Sequence, residues 1–99
     1  MPAQFDLCRL TGGALVLVLQ DDLHEGLASR VVAPVVPVRS VGPQPPRLCP
    51  VVDVGERPHV VLCQSLAAIP IGQLRTRIGT LAPRKDEIVR ALDLLFTGI

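Results

Sequence analysis

Aromatic residues are almost missing from this 99-residue chain, which has two Phe, no Tyr and no Trp. Hydrophobic residues still make up 48% of the sequence, so we expect an aliphatic core of Val, Leu and Ile. Many proteins that bind single-stranded nucleic acid stack the bases on aromatic side chains, and this composition argues against such a platform. The length suits one modest core, which predicts a single domain over residues 1–99 and excludes disorder.

Strong net charge and long hydrophobic runs are also missing. The formal net charge of +1 is too small to attract nucleic acid or an anionic membrane. The longest apolar runs, such as residues 14–19, are far shorter than the roughly 20 residues that span a bilayer. The opening MPAQFDLCRL has neither the basic segment nor the long apolar segment of a signal peptide. We therefore expect a cytoplasmic protein with no membrane partner.

The three cysteines are too few and too scattered for a disulfide framework or a zinc site. Cys8, Cys49 and Cys63 are odd in number and widely separated along the chain. Such cysteines are typical of reduced, buried thiols in the cytosol.

Residues that could carry catalytic chemistry are sparse. Asp21, Asp22, His24 and Glu25 cluster and could bind a metal, but without fixed ligand spacing a solvated loop is the favoured interpretation. His59 begins a strand and is expected to be structural or exposed. Arginines are scattered, and no glycine-rich phosphate loop is present. The residues themselves therefore predict no catalytic set, no metal and no cofactor.

Short alternating or β-branched segments separated by turns predict five or six strands. Two hairpins are expected, from residues 5–9 with 14–20 and from residues 48–54 with 59–64. Residues 31–38 form a strand that must be an edge or bulged, because Pro34 and Pro37 cannot donate to a ladder. A last short strand over residues 69–74 is broken by Pro70 and Gly72.

The final segment, residues 83–99, is predicted to be a helix. Ile88, Leu92 and Leu95 recur at helical spacing, Pro83 suits the first helical position, and Gly98 ends the helix. Apolar residues beyond that point either pack back onto the body or are presented to a partner. Short strands followed by one helix predict a mainly β, α+β fold, with a curled antiparallel sheet or barrel against which the helix packs.

The order and spacing of six segments resemble the CcdB-type toxins, the gyrase-poisoning half of a toxin–antitoxin pair. The matching segments are QFDL, LVLVLQDDL, RVVAPV, LCPVVDVG, AAIPIG and DEIVRALDLLFTGI. The resemblance implies an SH3-like antiparallel barrel with a small extra sheet and a C-terminal helix. It also implies a homodimer that is not an enzyme. The composition and the low net charge predict no direct binding of nucleic acid, and no cofactor is expected.

The partners implied by the resemblance are DNA gyrase and an antitoxin. The toxin would bind the A subunits of gyrase and hold the enzyme in its DNA-cleaved state. An antitoxin with a disordered C-terminal tail would wrap the dimer and neutralise it, folding as it binds.

The family's gyrase-contacting positions can be transferred residue by residue. Of two adjacent aliphatic residues in the family, Leu23 keeps the first and His24 replaces the second, and a helical Asn is replaced by Asp93. In the tail, Thr97 stands where the family has Trp, which predicts weaker gyrase binding. The implied target-binding residues are Leu23, His24, Asp93, Phe96, Thr97, Gly98 and Ile99.

Two other functions remain open from the sequence. One is a toxin-derived homologue that binds an antitoxin but no longer poisons gyrase. The other is an endoribonuclease toxin built on the same barrel, which needs a basic groove and a residue that transfers protons.

Overall fold

The computed structural model describes residues 2–98, which form seven strands and one α-helix. The predicted mainly β, α+β fold with a C-terminal helix is confirmed. The elements are β1 (Asp6–Leu10), β2 (Leu15–Val18), β3 (Ser29–Pro37), β4 (Val51–Val54), β5 (Arg57–Val61), β6 (Ala67–Pro70), β7 (Leu74–Thr80) and α1 (Lys85–Thr97).

The strands form one curled antiparallel sheet in the order β4-β5-β3-β2-β1-β7, with β6 paired to β3 beside this path. Both predicted hairpins are present, as β1 with β2 and as β4 with β5. The second hairpin turns at Gly55 and Glu56, whose φ angles of 59° and 66° suit a tight two-residue connection. The longest strand, β3, pairs with β2, β5 and β6 and is the centre of the sheet.

The expectation that residues 31–38 form an edge or bulged strand is therefore wrong, because β3 is central and its ladders with β2 and β5 have no register shift. Pairing of β3 with β6 ends at Val32, and pairing with β5 begins at Val35. The Pro34 carbonyl accepts a hydrogen bond from the Leu62 N–H at 2.9 Å, so the Pro34 nitrogen also faces this side of β3. It lies in the gap between the two partner strands, where no ladder donor is needed. A central strand thus tolerates proline because it changes partners at that residue.

The edge strand β7 was not predicted beyond Leu74. Its residues are mostly exposed, so solvent reaches both faces and the sequence RTRIGT shows no apolar alternation. Pairing with β1 holds the strand in place, with register irregularities between Leu7 and Cys8 and between Arg9 and Leu10. An ion pair of 3.0 Å between Arg77 Nε and the buried Asp6 carboxylate adds a contact across the pair.

Two groups of buried side chains form the core, and both are mainly aliphatic, as predicted. The larger group lies between the sheet and α1 and includes Leu17, Val61, Ile88 and Ala91. The smaller group, Cys8, Val16, Val18 and Val32, packs with the half-buried side chains of Leu10, Ile69 and Leu74. None of the helices described within residues 2–98 has the length and apolarity needed to cross a membrane.

The C-terminal helix is two residues shorter at its start than predicted. Pro83 lies in a 3-10 turn, Ala82–Arg84, and α1 begins directly after it. Ile88 is fully buried, whereas Leu92 is half-buried at the margin of the core. Gly98 ends the helix as predicted, with a φ of 75° and its N–H donated to the Leu94 carbonyl at 2.9 Å.

The packing of α1 predicts that Ile88→Ala destabilises the protein by about 2–5 kcal/mol, because it leaves a cavity between helix and sheet. Val89→Ala is the matched control, since Val89 is the next residue of the helix and is 43% exposed. Urea unfolding of both variants measures the difference. Equal losses of stability would show that α1 does not bury the face assigned to it.

Candidate functional site

An elongated apolar groove crosses the sheet where the β1–β2 hairpin faces the second half of β3. It has a volume of about 500 Å³, and its lining includes Arg9 of β1 and His59 of β5. Val16, Pro34 and Val36 contribute to its aliphatic lining. We call this cavity the apolar groove.

A second cavity of about 400 Å³ continues from the apolar groove, because Pro37 and His59 line both. Its other lining residues are Arg39, Arg57 and Pro58, so we call it the basic pocket. Pro37 ends β3 directly opposite His59 of β5, and Arg39 lies in the 3-10 turn that follows β3. The sheet register therefore joins cationic side chains that lie about twenty residues apart in the sequence.

His59 has a defined hydrogen bond on one side of its ring. Its Nδ1 lies 2.9 Å from the carbonyl oxygen of Arg57. A carbonyl oxygen only accepts, so Nδ1 carries the proton and, in the neutral ring, Nε2 holds a lone pair. The side chain is half-buried beside the two arginines. Such an imidazole can accept a proton from a bound substrate.

The charge of the combined cleft has one sign. Arg9, Arg39, Arg57 and His59 line the two cavities, and no Asp or Glu is among their described lining residues. The net charge of +1 does not reveal this cluster of cationic side chains, because the acidic side chains that balance it lie elsewhere. A one-sided cationic cleft attracts anionic ligands more strongly than the net charge suggests.

The implied gyrase-contacting residues lie in two separate segments of the chain. Leu23 and His24 belong to the exposed 3-10 turn Asp22–His24, where Leu23 is 88% exposed. Phe96 lies in the last turn of α1 and is 71% exposed. Thr97 donates its hydroxyl to the Asp93 carbonyl at 2.6 Å, one turn earlier in the same helix.

The remaining members of that predicted set are at the chain end. Gly98 is the left-handed cap of α1. Ile99 lies outside the described residues.

The acidic cluster after β2 has a structural use. Asp21 accepts the Leu23 N–H at 2.8 Å and caps the 3-10 turn, and Asp22 accepts the Gln4 N–H at 2.8 Å. Residues 2–98 contain no group of three or more His, Cys, Asp or Glu side chains placed to hold a metal ion.

The three cysteines are free and buried, as predicted. Burial raises the pKa of the Cys63 thiol to about 11, and the nearby Cys49 adds to this shift. Cys49 donates its thiol hydrogen to the Gln64 side-chain oxygen at 2.9 Å. Since the thiolate is the nucleophilic form, these thiols are unsuited to nucleophilic catalysis near neutral pH.

The curled antiparallel sheet and the C-terminal helix define a small half-barrel fold. The family described as CcdB protein matches residues 4–98, and the chain therefore belongs to the CcdB family.

Several solved structures share this fold. A protein described as an Mtb toxin is 23% identical, with a TM-score of 0.75 over 91% of this chain and 99% of its own. The Mycobacterium tuberculosis toxin MazF-mt6 is 25% identical, with a TM-score of 0.73 over 92% of this chain and 93% of its own. An endoribonuclease from mycobacterial species is 15% identical, with a TM-score of 0.73 over 93% and 88%.

These similarities correct the expectation that the chain is not an enzyme. That expectation came from the resemblance to gyrase-poisoning toxins, whereas the fold is shared with a protein named an endoribonuclease and, at 25% identity, with the toxin MazF-mt6. The physical reason for the error is that Arg9 on β1 and Arg39 in the turn after β3 join Arg57 and His59 of β5 only in the folded sheet. No local sequence motif marks them.

The raised pKa of Cys63 predicts how stability depends on pH. Between about pH 9 and pH 11 this thiol ionises in the unfolded chain but stays protonated when folded, so stability is intact below pH 9 and falls above it. The chain has no Tyr and a single Lys, but burial also raises the pKa of the Cys8 and Cys49 thiols, which contribute to the loss in the same direction. Urea unfolding at pH 8 and pH 10.5 measures the loss, which should be smaller in Cys63→Ala. An equal loss in both proteins would contradict the assignment.

Proposed function

We propose that the protein is the toxin of a toxin–antitoxin pair and cleaves single-stranded RNA in the cleft, with His59 as the proton-transferring residue. The observation that carries this proposal is the basic pocket, where an imidazole with an available Nε2 lies beside two arginines and no lining carboxylate. The fold shared with an endoribonuclease supports the same reaction class.

The chemistry needs no group beyond those of the pocket and water. Nε2 of His59 removes the proton from a ribose 2′-hydroxyl, and that oxygen attacks the adjacent phosphorus. The bond from phosphorus to the 5′-oxygen breaks, leaving a 2′,3′-cyclic phosphate, and the 5′-oxygen takes a proton from water. Arg39 and Arg57 stabilise the negative charge that develops on the phosphoryl oxygens.

This proposal departs from the expectation that the chain does not bind nucleic acid. That expectation rested on the shortage of aromatic side chains and on the low net charge. The folded chain instead offers a cationic cleft with an aliphatic floor, so binding would depend on phosphate contacts and on burial of base surface without aromatic stacking.

The proposed role of His59 predicts that His59→Asn lowers the rate of RNA cleavage by about 10²–10⁴-fold, the usual contribution of a positioned acid–base group. The Asn side-chain amide can still donate to the Arg57 carbonyl, so the strand should keep its stability. Cleavage of a fluorescent single-stranded RNA measures the rate.

His24→Asn is the matched control, because His24 is the other histidine and lies in the exposed turn after β2. It should cleave as fast as the wild type. Absence of cleavage by the wild type, or an unchanged rate in His59→Asn with a native melting temperature, would overturn the proposal.

Gyrase binding is the second candidate function, favoured by family membership and by the exposure of Phe96 and Leu23. In this proposal the surface of Leu23, His24, Asp93, Phe96, Thr97, Gly98 and Ile99 contacts the A subunits of gyrase. A homodimer would present two copies of that surface, and the tail of an antitoxin would cover it.

The gyrase candidate predicts a gain of function at position 97. Thr97→Trp adds an apolar anchor, and such hot-spot side chains contribute about 2 kcal/mol or more, so gyrase trapping should improve by tenfold or more. Gyrase-dependent accumulation of cleaved DNA is the measurement. Phe96→Ala serves as the opposing control and should weaken any trapping. A wild type that neither binds gyrase nor gains from Thr97→Trp would exclude this target.

A further inference from the structure

We infer that the apolar groove holds a short run of unpaired nucleotides and that Arg9 binds a backbone phosphate at the end opposite His59. This inference rests on the proposed RNA cleavage and extends the site by one residue on another strand. Nothing in the sequence places Arg9 near His59, because fifty residues separate them.

The sheet order sets the distance between the two ends. His59 lies on β5 and Arg9 on β1, with β3 and β2 between them. Three steps between neighbouring strands span about 14 Å along the sheet. A stacked strand rises roughly 3.4 Å per nucleotide, and splayed bases lengthen it, so this span holds at most about four nucleotides.

The side chain of Arg9 is positioned to accept a phosphate. Its Nη1 donates to the Gly13 carbonyl at 3.0 Å, which anchors the guanidinium against the β1–β2 turn. This contact uses one of five N–H donors, and the residue is exposed. The fork geometry of a guanidinium matches two oxygens of one phosphate.

The pattern of charge selects the occupant. Arg9 and His59 line the groove from β1 and β5, and the apolar residues Leu15 and Val35, which the register places on the same face, line it from the strands between them. A strand of RNA has this pattern, since its phosphates are regularly spaced and its bases present flat surfaces of low charge. Only aliphatic side chains contact the bases in this arrangement, so selection among bases should be weak.

The test measures binding of a 2′-O-methyl RNA hexamer, which has no 2′-hydroxyl to react, by fluorescence anisotropy over a range of salt concentrations. One phosphate contact contributes about 0.7 to the slope of log affinity against log salt, which is about fivefold between 1 M and 0.1 M. Arg9→Gln should therefore lower the slope by about 0.7 and weaken hexamer binding about fivefold at 0.1 M salt. Binding of a dinucleotide, which is too short to reach Arg9 from His59, should not change.

Arg90→Gln is the matched control, because it removes the same charge from the exposed surface of α1. It should leave both the slope and the affinity at the wild-type value. An unchanged slope in Arg9→Gln, or an equal loss for the dinucleotide and the hexamer, would overturn the role of Arg9 without affecting RNA cleavage at His59.

Two further outcomes separate this inference from the proposed function. A wild type that binds no hexamer overturns both. An acidic decapeptide that displaces the hexamer and itself loses fivefold in affinity with Arg9→Gln would assign the groove to a protein segment, and the inference would then be wrong.

Discussion

The structure depends on the change of partner strands along β3. The first half of β3 pairs with β2 and β6, whereas the second half pairs with β5. Pro34 stands at this change, and its nitrogen faces the side on which one partner strand ends and the next begins. Without the change, a proline would remove a ladder hydrogen bond from the middle of a sheet. The same change lets a single strand contribute to both parts of a curled sheet.

The cleft follows from that arrangement. Pairing between β2 and β3 stops at Val16 and Pro34, so the tip of the β1–β2 hairpin stands apart from the second half of β3. The apolar groove occupies this space, and the basic pocket continues it at Pro37 and His59. Cationic side chains from two strands and one turn thus line a cavity that no contiguous stretch of sequence encodes. A chain of nearly neutral charge acquires a locally cationic surface in this way.

Features that depend on residues close together in the sequence could be predicted from its patterns. The two hairpins, the helix, its glycine cap and the buried thiols could all be predicted from spacing and composition. Strand β7 could not, because an exposed edge strand needs no apolar alternation and its position comes from pairing with β1. The central position of β3 could not be predicted either. The rule that proline occurs on edge or bulged strands considers one strand and does not say where its partner strands begin and end. The grouping of His59 with Arg39 depends on sheet register, which the sequence pattern leaves undetermined.

The two candidate surfaces differ in what they offer a target. At the helix end, Thr97 stands where the gyrase-poisoning pattern has Trp, and its hydroxyl is bonded within its own helix. Phe96 is therefore the main apolar anchor described there, and one aromatic side chain contributes at most about 250 Å² to an interface of about 800 Å² per partner. The cleft, in contrast, combines an apolar lining, cationic side chains and an oriented imidazole. A small anionic strand can use all of these at once, which favours RNA as the target over a second protein.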